Sequence, residues 1–356
     1  MTQPPTSVVK APVPEGSRGV PQVRTRVSRG TAVAVFAVVA VLVTLVAGIG
    51  LGSRDISPLE VVRILLHPGE QAFDTHVLWT ERIPRTFLGL AVGAALGASG
   101  LVMQALTANP LADPGILGVE QGASMFVVFG ILFLGVTDAG GYFWLALLGS
   151  SVAATLVHLI GTRTDAGSSA VGLVLAGVAM AAVMSSLITL LVVRDKEAFA
   201  HLRFWSVGQL TGRAEVLSQV MPFVIAGLLL ALPLGRTLNV LGLGDDTARA
   251  LGVRVERARL TAAAVAVLLC AAATAAVGPV AFVGLVAAHC ARLLVGPDHR
   301  WSLPISMAVG AVLLTGADTA GRLVLDHGEV QVGLMTAIVG TPFFVWLARR
   351  RDLVRM

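Results

Sequence analysis

Charge is scarce in this chain. Asp, Glu, Lys and Arg make up 13% of its 356 residues, whereas a soluble domain carries roughly 25%. So few charged groups cannot clothe a water-facing surface, and the soluble globular class is excluded. Aromatic residues are also few, at 5%, while glycine is plentiful, with 39 copies. That balance implies helices that approach one another through small residues. The two cysteines, Cys270 and Cys290, both fall in apolar segments, so no disulfide framework is implied. The net charge of +5 is dispersed over many loops, which is not the clustered basic surface of a nucleic-acid binder. The chain also lacks an H-E-x-x-H pair, a Walker A loop and a Ser/Lys or Asp/Asp arrangement on facing helices. Those absences argue against a membrane-embedded enzyme.

What the chain has is long uncharged runs, at 31–51, 86–108, 166–193, 216–235 and 330–348. Each is near the roughly 20 residues a helix needs to cross the hydrocarbon core. The runs are continuous rather than alternating, so a transmembrane β-barrel is not expected. The full set of apolar segments is 31–51, 86–108, 116–136, 139–160, 166–193, 216–235, 260–277, 279–295, 303–320 and 332–348. Residues 260–288 contain no charge and fit either one tilted helix or two short ones. Gly278-Pro279 lies in the middle, and proline both removes a donor and clashes with the preceding turn. Orientation separates the alternatives. Ten spans put both termini on one side, together with 17 of the 26 Lys and Arg. Nine would send Arg349, Arg350 and Arg351 to the far side. The positive-inside bias therefore predicts an all-α integral membrane protein with ten transmembrane helices, both termini cytoplasmic, and a sharp turn at Gly278-Pro279.

Residues 1–30 hold five prolines and five Lys or Arg without an apolar core, and read as a disordered basic cytoplasmic tail. They are not read as a signal peptide, because 31–51 is long for an h-region and no cleavage site follows. The membrane domain is expected over 31–350, with a long cytoplasmic loop at 236–259 and a short cytoplasmic end at 351–356.

The stretch TANPLADPG, at 107–115, interrupts the apolar pattern. Pro110 and Pro114 stop a helix and bias Asn109 and Asp113 away from helical geometry. Asp113 is placed to cap a helix that starts near Pro114. Non-helical backbone at membrane depth is tolerated where it is buried in protein or lines a water-filled cavity. Two readings stay open on these grounds: a capped interhelical turn, which is the commoner thing, and a constriction on a transport path.

The wording around it narrows the choice. RIPRTFLGLAVGAALGASGLVMQALTANPLADPGILGV, starting at Arg82, closely resembles the permease family of ABC importers for ferric siderophores, haem and cobalamin. The resemblance continues through RFWSVGQLTGR (203–213), LGLGDDTARALGV (241–253), VGPVAFVGLVAAHCARLLVGPDHRWSLP (277–304) and GEVQVGLMTAIVGTPFF (328–344). These blocks span nearly the whole membrane region in order. The RFW and DHRWSLP blocks look most like the ferric-enterobactin type of permease subunit. The resemblance implies the type II ABC importer permease fold in the bacterial plasma (inner) membrane. It also implies a second permease subunit, identical or paralogous, two cytoplasmic ATPase subunits and an extracytoplasmic substrate-binding protein. The chain itself would catalyse nothing and bind no cofactor or metal; ATP and magnesium would belong to the partner ATPase. Ferric siderophore is the implied cargo, with haem or cobalamin as alternatives. Two positions depart from the family pattern: Ala288 and Gln331 stand where many members have proline.

Three sets of residues follow from the resemblance. Asp245, Asp246, Thr247, Ala248, Arg249, Leu251 and Gly252 match the coupling helix that fits a groove of the ATPase. The Asp residues suit a helix start and Gly252 its close; a helix lying at the lipid interface is the plainer alternative. Asn109, Pro110 and Leu111 match the cytoplasmic gate, where an apolar ring can close a path by dewetting. A second gate element aligns with 168–171. Arg82, Arg85 and Arg322 match arginines that dock carboxylates of the binding protein, a task suited to guanidinium forks. Arginines that merely anchor helix ends at the interface are the alternative. Asp318 and Arg322, four apart, read as an ion pair at a helix end, and His289 and Cys290 as packing residues. An ion-coupled secondary transporter is the competing class; it would need mid-membrane carboxylates, and Asp318 and Glu120 both fall near predicted helix ends.

Overall fold

The structure is a computed structural model that describes residues 23–52, 56–67, 73–162, 170–193, 195–325 and 328–349. Among them every regular element is helical. Helix α1 (Val23–Gly50) is followed by a short α2 (Pro58–Leu66). Then come α3 (Phe73–Thr107), α4 (Val119–Leu134), α5 (Ala139–Thr162) and α6 (Ala170–Val192). The second half holds α7 (Lys196–Ser206), α8 (Val216–Leu241), α9 (Asp245–Ala250), α10 (Val255–Val277), α11 (Val283–Val295), α12 (His299–Gly321) and α13 (Val332–Arg349). Seven of these are long and apolar enough to cross a membrane, namely α1, α3, α5, α6, α8, α10 and α12; α4, α11 and α13 are shorter apolar helices.

The runs read from sequence each correspond to a helix, with informative differences at the ends. α1 begins at Val23, so the expected tail loses its last residues to a helix; residues 1–22 and 350–356 lie outside the described residues. α3 begins at Phe73 and takes in Glu81, Arg82 and Arg85, which the uncharged-run criterion had left out. It can do so because Pro84, which offers no N–H, follows a widened π turn over Val77–Arg82. The uncharged stretch 260–288 is indeed two helices. α10 ends at Gly278, whose φ is +83°, and α11 starts after Phe282, at φ +69°. A Cβ on Gly278 would lie 2.2 Å from the Trp205 carbonyl oxygen, so only glycine admits this approach.

Burial sorts the helices into a centre and a rim. In its membrane window α3 is 78% buried, against 6% for α1. The apolar side chains of α1, such as Phe36, Val43 and Val46, face outward, as they would toward lipid. At the centre, α3 meets α12 backbone to backbone. A Cβ on Gly93 would stand 2.4 Å from the Gly310 carbonyl oxygen, and one on Gly97 would stand 2.2 Å from that of Ser306. Gly100, on the same face, presses on Gly284 of α11. Ser306 Oγ donates to the Gly97 carbonyl at 2.7 Å, and Ser99 Oγ donates to that of Ala266 on α10 at 2.6 Å. Small residues thus let the helices close to contact distance, and hydroxyls then bond across them.

The two departures from the family pattern fit this frame. Ala288 is buried within the unbroken helix α11, where proline would remove a helical bond. Gln331 precedes α13 and its carbonyl accepts the N–H groups of Leu334 and Met335, an entry position that needs no side chain in particular.

Candidate functional site

The segment after α3 is built from local capping. α3 closes on Ala108 in the left-handed region, φ +48°. Asn109 Oδ1 then accepts the Leu111 N–H at 2.9 Å, an Asx turn. Asp113 Oδ1 accepts the Gly115 N–H at 2.8 Å and so caps a 3-10 helix, Pro114–Leu117. The capping role read for Asp113 therefore stands, on a shorter helix than expected. Asn109 is exposed, Pro110 half-buried, and Leu111 exposed at 37%. An apolar side chain is thus held outward on a stiff turn. Of the second gate element, residues 168 and 169 lie outside the described residues.

The loop 236–259 is largely helical: α8 runs on to Leu241 and α10 starts at Val255, leaving α9 between them. Asp245 and Asp246 fill the first turn of α9 instead of capping it; Gly244, at φ +94°, takes the cap position. Acids in a first turn still complement the helix dipole. Gly252 closes the motif as expected, at φ +83°, its N–H donating to the Arg249 carbonyl at 2.9 Å. Ala248 is fully buried, whereas Asp246, Thr247, Arg249 and Leu251 are exposed. Arg259 donates to Asp245 at 2.8 Å and ties α9 to α10. The result is a braced knob with one buried face and one presented face.

Sequence reading missed the clamp behind this knob. Asn239, at the end of α8, donates through Nδ2 to Asp298 Oδ1 at 2.6 Å. Its own Oδ1 accepts the His299 backbone N–H at 2.8 Å. Asp298 caps α12 by accepting the Arg300 N–H at 3.0 Å. Partial burial raises the Asp298 carboxyl, but the bonds from Asn239 and Arg300 and the charge of Arg300 outweigh it and hold the group below the usual carboxylate range. The signal available was the Asp placed just before an apolar helix; its partner, 59 residues earlier, left none.

At the other end of α3 and α12 lie the three arginines. All are buried: Arg82 is 4% exposed, Arg85 7% and Arg322 2%. Arg82 donates to the Gly50 carbonyl at 3.1 Å, and Arg322 to that of Gly48 at 3.1 Å, so both cap the C-terminus of α1. Arg85 holds Asp318 with Nε and Nη2, and its Nη1 donates to Glu329 at 2.7 Å. Arg322 approaches Asp318 at 3.4 Å, so the pair read at four-residue spacing exists but is the lesser contact. The three arginines are thus brought together and turned inward, and the chain itself supplies carboxylates to Arg85 and Arg322. Glu329, which sequence reading did not select, is 26% exposed at its side chain. Burial raises its carboxyl, but hydrogen bonds from Arg85 and Thr211 and the charge of Arg85 outweigh that and hold it below the usual range.

His289 packs edge-on against Phe343, with ring centroids 5.8 Å apart. Among the described residues no three His, Cys, Asp or Glu side chains converge to hold a metal ion.

Comparison with known proteins adds the following. The model of the FecCD transport family matches residues 39–350. The ferric enterobactin transport system permease protein FepD of Escherichia coli (strain K12) is 44% identical over 283 residues, covering 79% of this chain and 84% of that protein. The hemin transport system permease protein HmuU of Yersinia pestis is 35% identical, covering 87% and 94%. A solved structure described as an inward-facing, metal-chelate-type ABC transporter superposes with a TM-score of 0.78 at 28% identity, over 90% of this chain and 99% of that one.

Proposed function

Because the chain belongs to the FecCD transport family, we propose that it is the membrane permease subunit of an ATP-driven importer, carrying ferric siderophores through the inner membrane into the cytoplasm. Ten crossings are proposed, with α4, α11 and α13 spanning beside the seven longer helices, and both termini in the cytoplasm. The permease pairs with a second copy or a paralogue. ATP and magnesium belong to two partner ATPase subunits, and a substrate-binding protein delivers the chelate. The 44% identity to a ferric enterobactin permease over most of both chains is the observation that favours this cargo over haem or cobalamin.

The geometry supports a division of labour. The presented face of α9, with Asp246, Thr247, Arg249 and Leu251, meets the ATPase, while Asp245, Ala248 and Gly252 fix its shape. Asn239 and Asp298 pass displacement of this knob into α12. Asn109, Pro110 and Leu111 form the gate, the prolines and the Asx turn fixing where Leu111 points. At the outer end Arg82, Arg85 and Arg322 anchor the docking face. Since Glu329 already occupies Arg85, an arriving carboxylate exchanges with it. An ion-coupled mechanism is disfavoured by Asp318, whose charge is matched by Arg85 and Arg322.

Reconstitution of the permease with its ATPase and binding protein in liposomes tests the reading. ATP-dependent accumulation of a radiolabelled ferric catecholate is expected. Accumulation by the permease alone under a proton gradient would overturn it.

A further inference from the structure

The link between α7 and α8, together with the start of α5, lines a half-open cavity of about 280 Å³ at the arginine end of the bundle. Its walls include Tyr142 from α5, His201 and Trp205 from α7, and Gln209, Thr211 and Arg213 from the link. None of the described residues that line it is acidic, and its one permanent charge is the Arg213 guanidinium. Arg213 is 3% exposed and Trp205 1%. Neither Nη1 of Arg213 nor the indole Nε1 of Trp205 has a hydrogen-bond partner among the described residues. Arg213 Cζ stands 5.9 Å from the Tyr142 ring centroid, and the Tyr142 hydroxyl lies 3.4 Å from His201 Nδ1.

Buried donors left without acceptors are costly, above all on a charged group. These two atoms are sealed behind the wall and do not open to the cavity, but among the described residues that line it the one permanent charge is a guanidinium and none is acidic, and such a wall favours an acceptor of negative charge. Aromatic walls add a preference for a flat ring. The volume lies just under the roughly 300–1,000 Å³ of pockets that hold drug-sized ligands, so one ring is the scale. We propose that this cavity binds a monocyclic aromatic carboxylate, the carboxylate taken by Arg213 and the ring set among Tyr142, Phe204 and Trp205. Thr211, on the rim, donates to Glu329 at 3.1 Å, which places the cavity beside the docking network and far along the helices from the gate. The proposal is independent of the transport reading.

The full-length protein in detergent, without partners, provides the test. Benzoate is titrated by calorimetry and by thermal shift, with benzyl alcohol, cyclohexanecarboxylate and inorganic phosphate as comparisons. Benzoate is expected to raise Tm with concentration and the three comparisons to leave it nearly unchanged. Arg213→Gln is expected to weaken benzoate about tenfold with gel-filtration behaviour preserved. No benzoate shift, an equal shift with phosphate or benzyl alcohol, or undiminished binding by Arg213→Gln would each overturn the proposal. Should that variant fail to fold, the comparison of the four compounds on the unaltered protein still decides, because it separates ring from charge.

Discussion

Asp318 is gripped by Arg85 from 233 residues away, Nε donating to one carboxylate oxygen at 2.9 Å and Nη2 to the other at 2.7 Å. Both groups are buried, so the pair welds the start of α3 to the end of α12. A buried pair broken on one side leaves an uncompensated charge, which costs about 3–5 kcal/mol. Asp318→Asn is therefore expected to lower stability by about 3 kcal/mol, read as a drop in Tm of the detergent-solubilised protein. Arg85→Gln should cost a similar amount, because it removes the bidentate partner of Asp318 and the ion pair with Glu329 together. A Tm unchanged by either variant would contradict this account.

Glu329 and an incoming carboxylate compete for the same guanidinium in the proposed docking step. Glu329→Gln should then tighten binding of the substrate-binding protein by about tenfold, since a charge-assisted bond no longer opposes it. Arg85→Gln should weaken it. The pH dependence follows from the lowered Glu329 carboxyl. Its contribution to stability is complete above the unfolded value near 4.3 and is lost only as pH falls through the lower folded value. The ratio of affinities between Glu329→Gln and the unaltered protein should consequently stay flat from about pH 7 to 5. A steep change across that window would show that Glu329 is not held as described.

The α9 knob separates shape from contact. Ala248 is fully buried and Leu251 is 61% exposed. Ala248→Leu overpacks the joint, at about 1–3 kcal/mol, and should reduce both stability and coupled transport. Leu251→Ser should leave Tm unchanged while lowering transport-coupled ATP hydrolysis several-fold. If Leu251→Ser hydrolyses and transports normally, the ATPase meets another surface.

How much of this was written in the sequence depends on the range of each interaction. The helices were legible because uncharged runs report burial in lipid residue by residue. The break at Gly278 was legible because proline and glycine act on their own backbone. The helix stop at Asn109-Pro110 and the cap at Asp113 were local as well, whereas the Asx turn that Asn109 forms was not read. The long-range partners were not: nothing near Arg85 announces Asp318 or Glu329, and nothing near Asn239 announces Asp298. The arginines were selected, but their inward pairing was hidden, since it exists only once α3 and α12 lie against each other. The same holds for the glycine face at Gly93 and Gly97, whose necessity appears only when the facing backbone is in place.

That face makes a sharp prediction. A Cβ on Gly93 would meet backbone, not a yielding side chain, at 2.4 Å. Gly93→Val is expected to destabilise by at least about 2 kcal/mol. Gly316, on α12, has nothing within 4 Å of its Cβ position, and Gly316→Val is expected to be close to neutral. Equal effects at the two sites would mean that α3 and α12 do not touch through Gly93.

The turn after α3 offers a change of opposite sign. Ala108 adopts a left-handed conformation, φ +48° and ψ +32°, to end α3. For an L-residue with a Cβ this costs roughly 1–2 kcal/mol, whereas glycine takes the same angles freely. Ala108 is exposed, so removing its methyl forfeits little packing. Ala108→Gly should accordingly raise stability by about 1 kcal/mol, less a few tenths for the greater freedom of glycine in the unfolded chain. Asn109→Ala should act the other way, because the Leu111 N–H loses its acceptor. The two variants also address function. A turn stabilised by Ala108→Gly keeps Leu111 in place and should leave the resting permease tight to chelate, while Asn109→Ala frees it and should raise passive leak in liposomes. A leak that increases with the stabilising variant, or fails to increase with the loosening one, would detach the turn from gating.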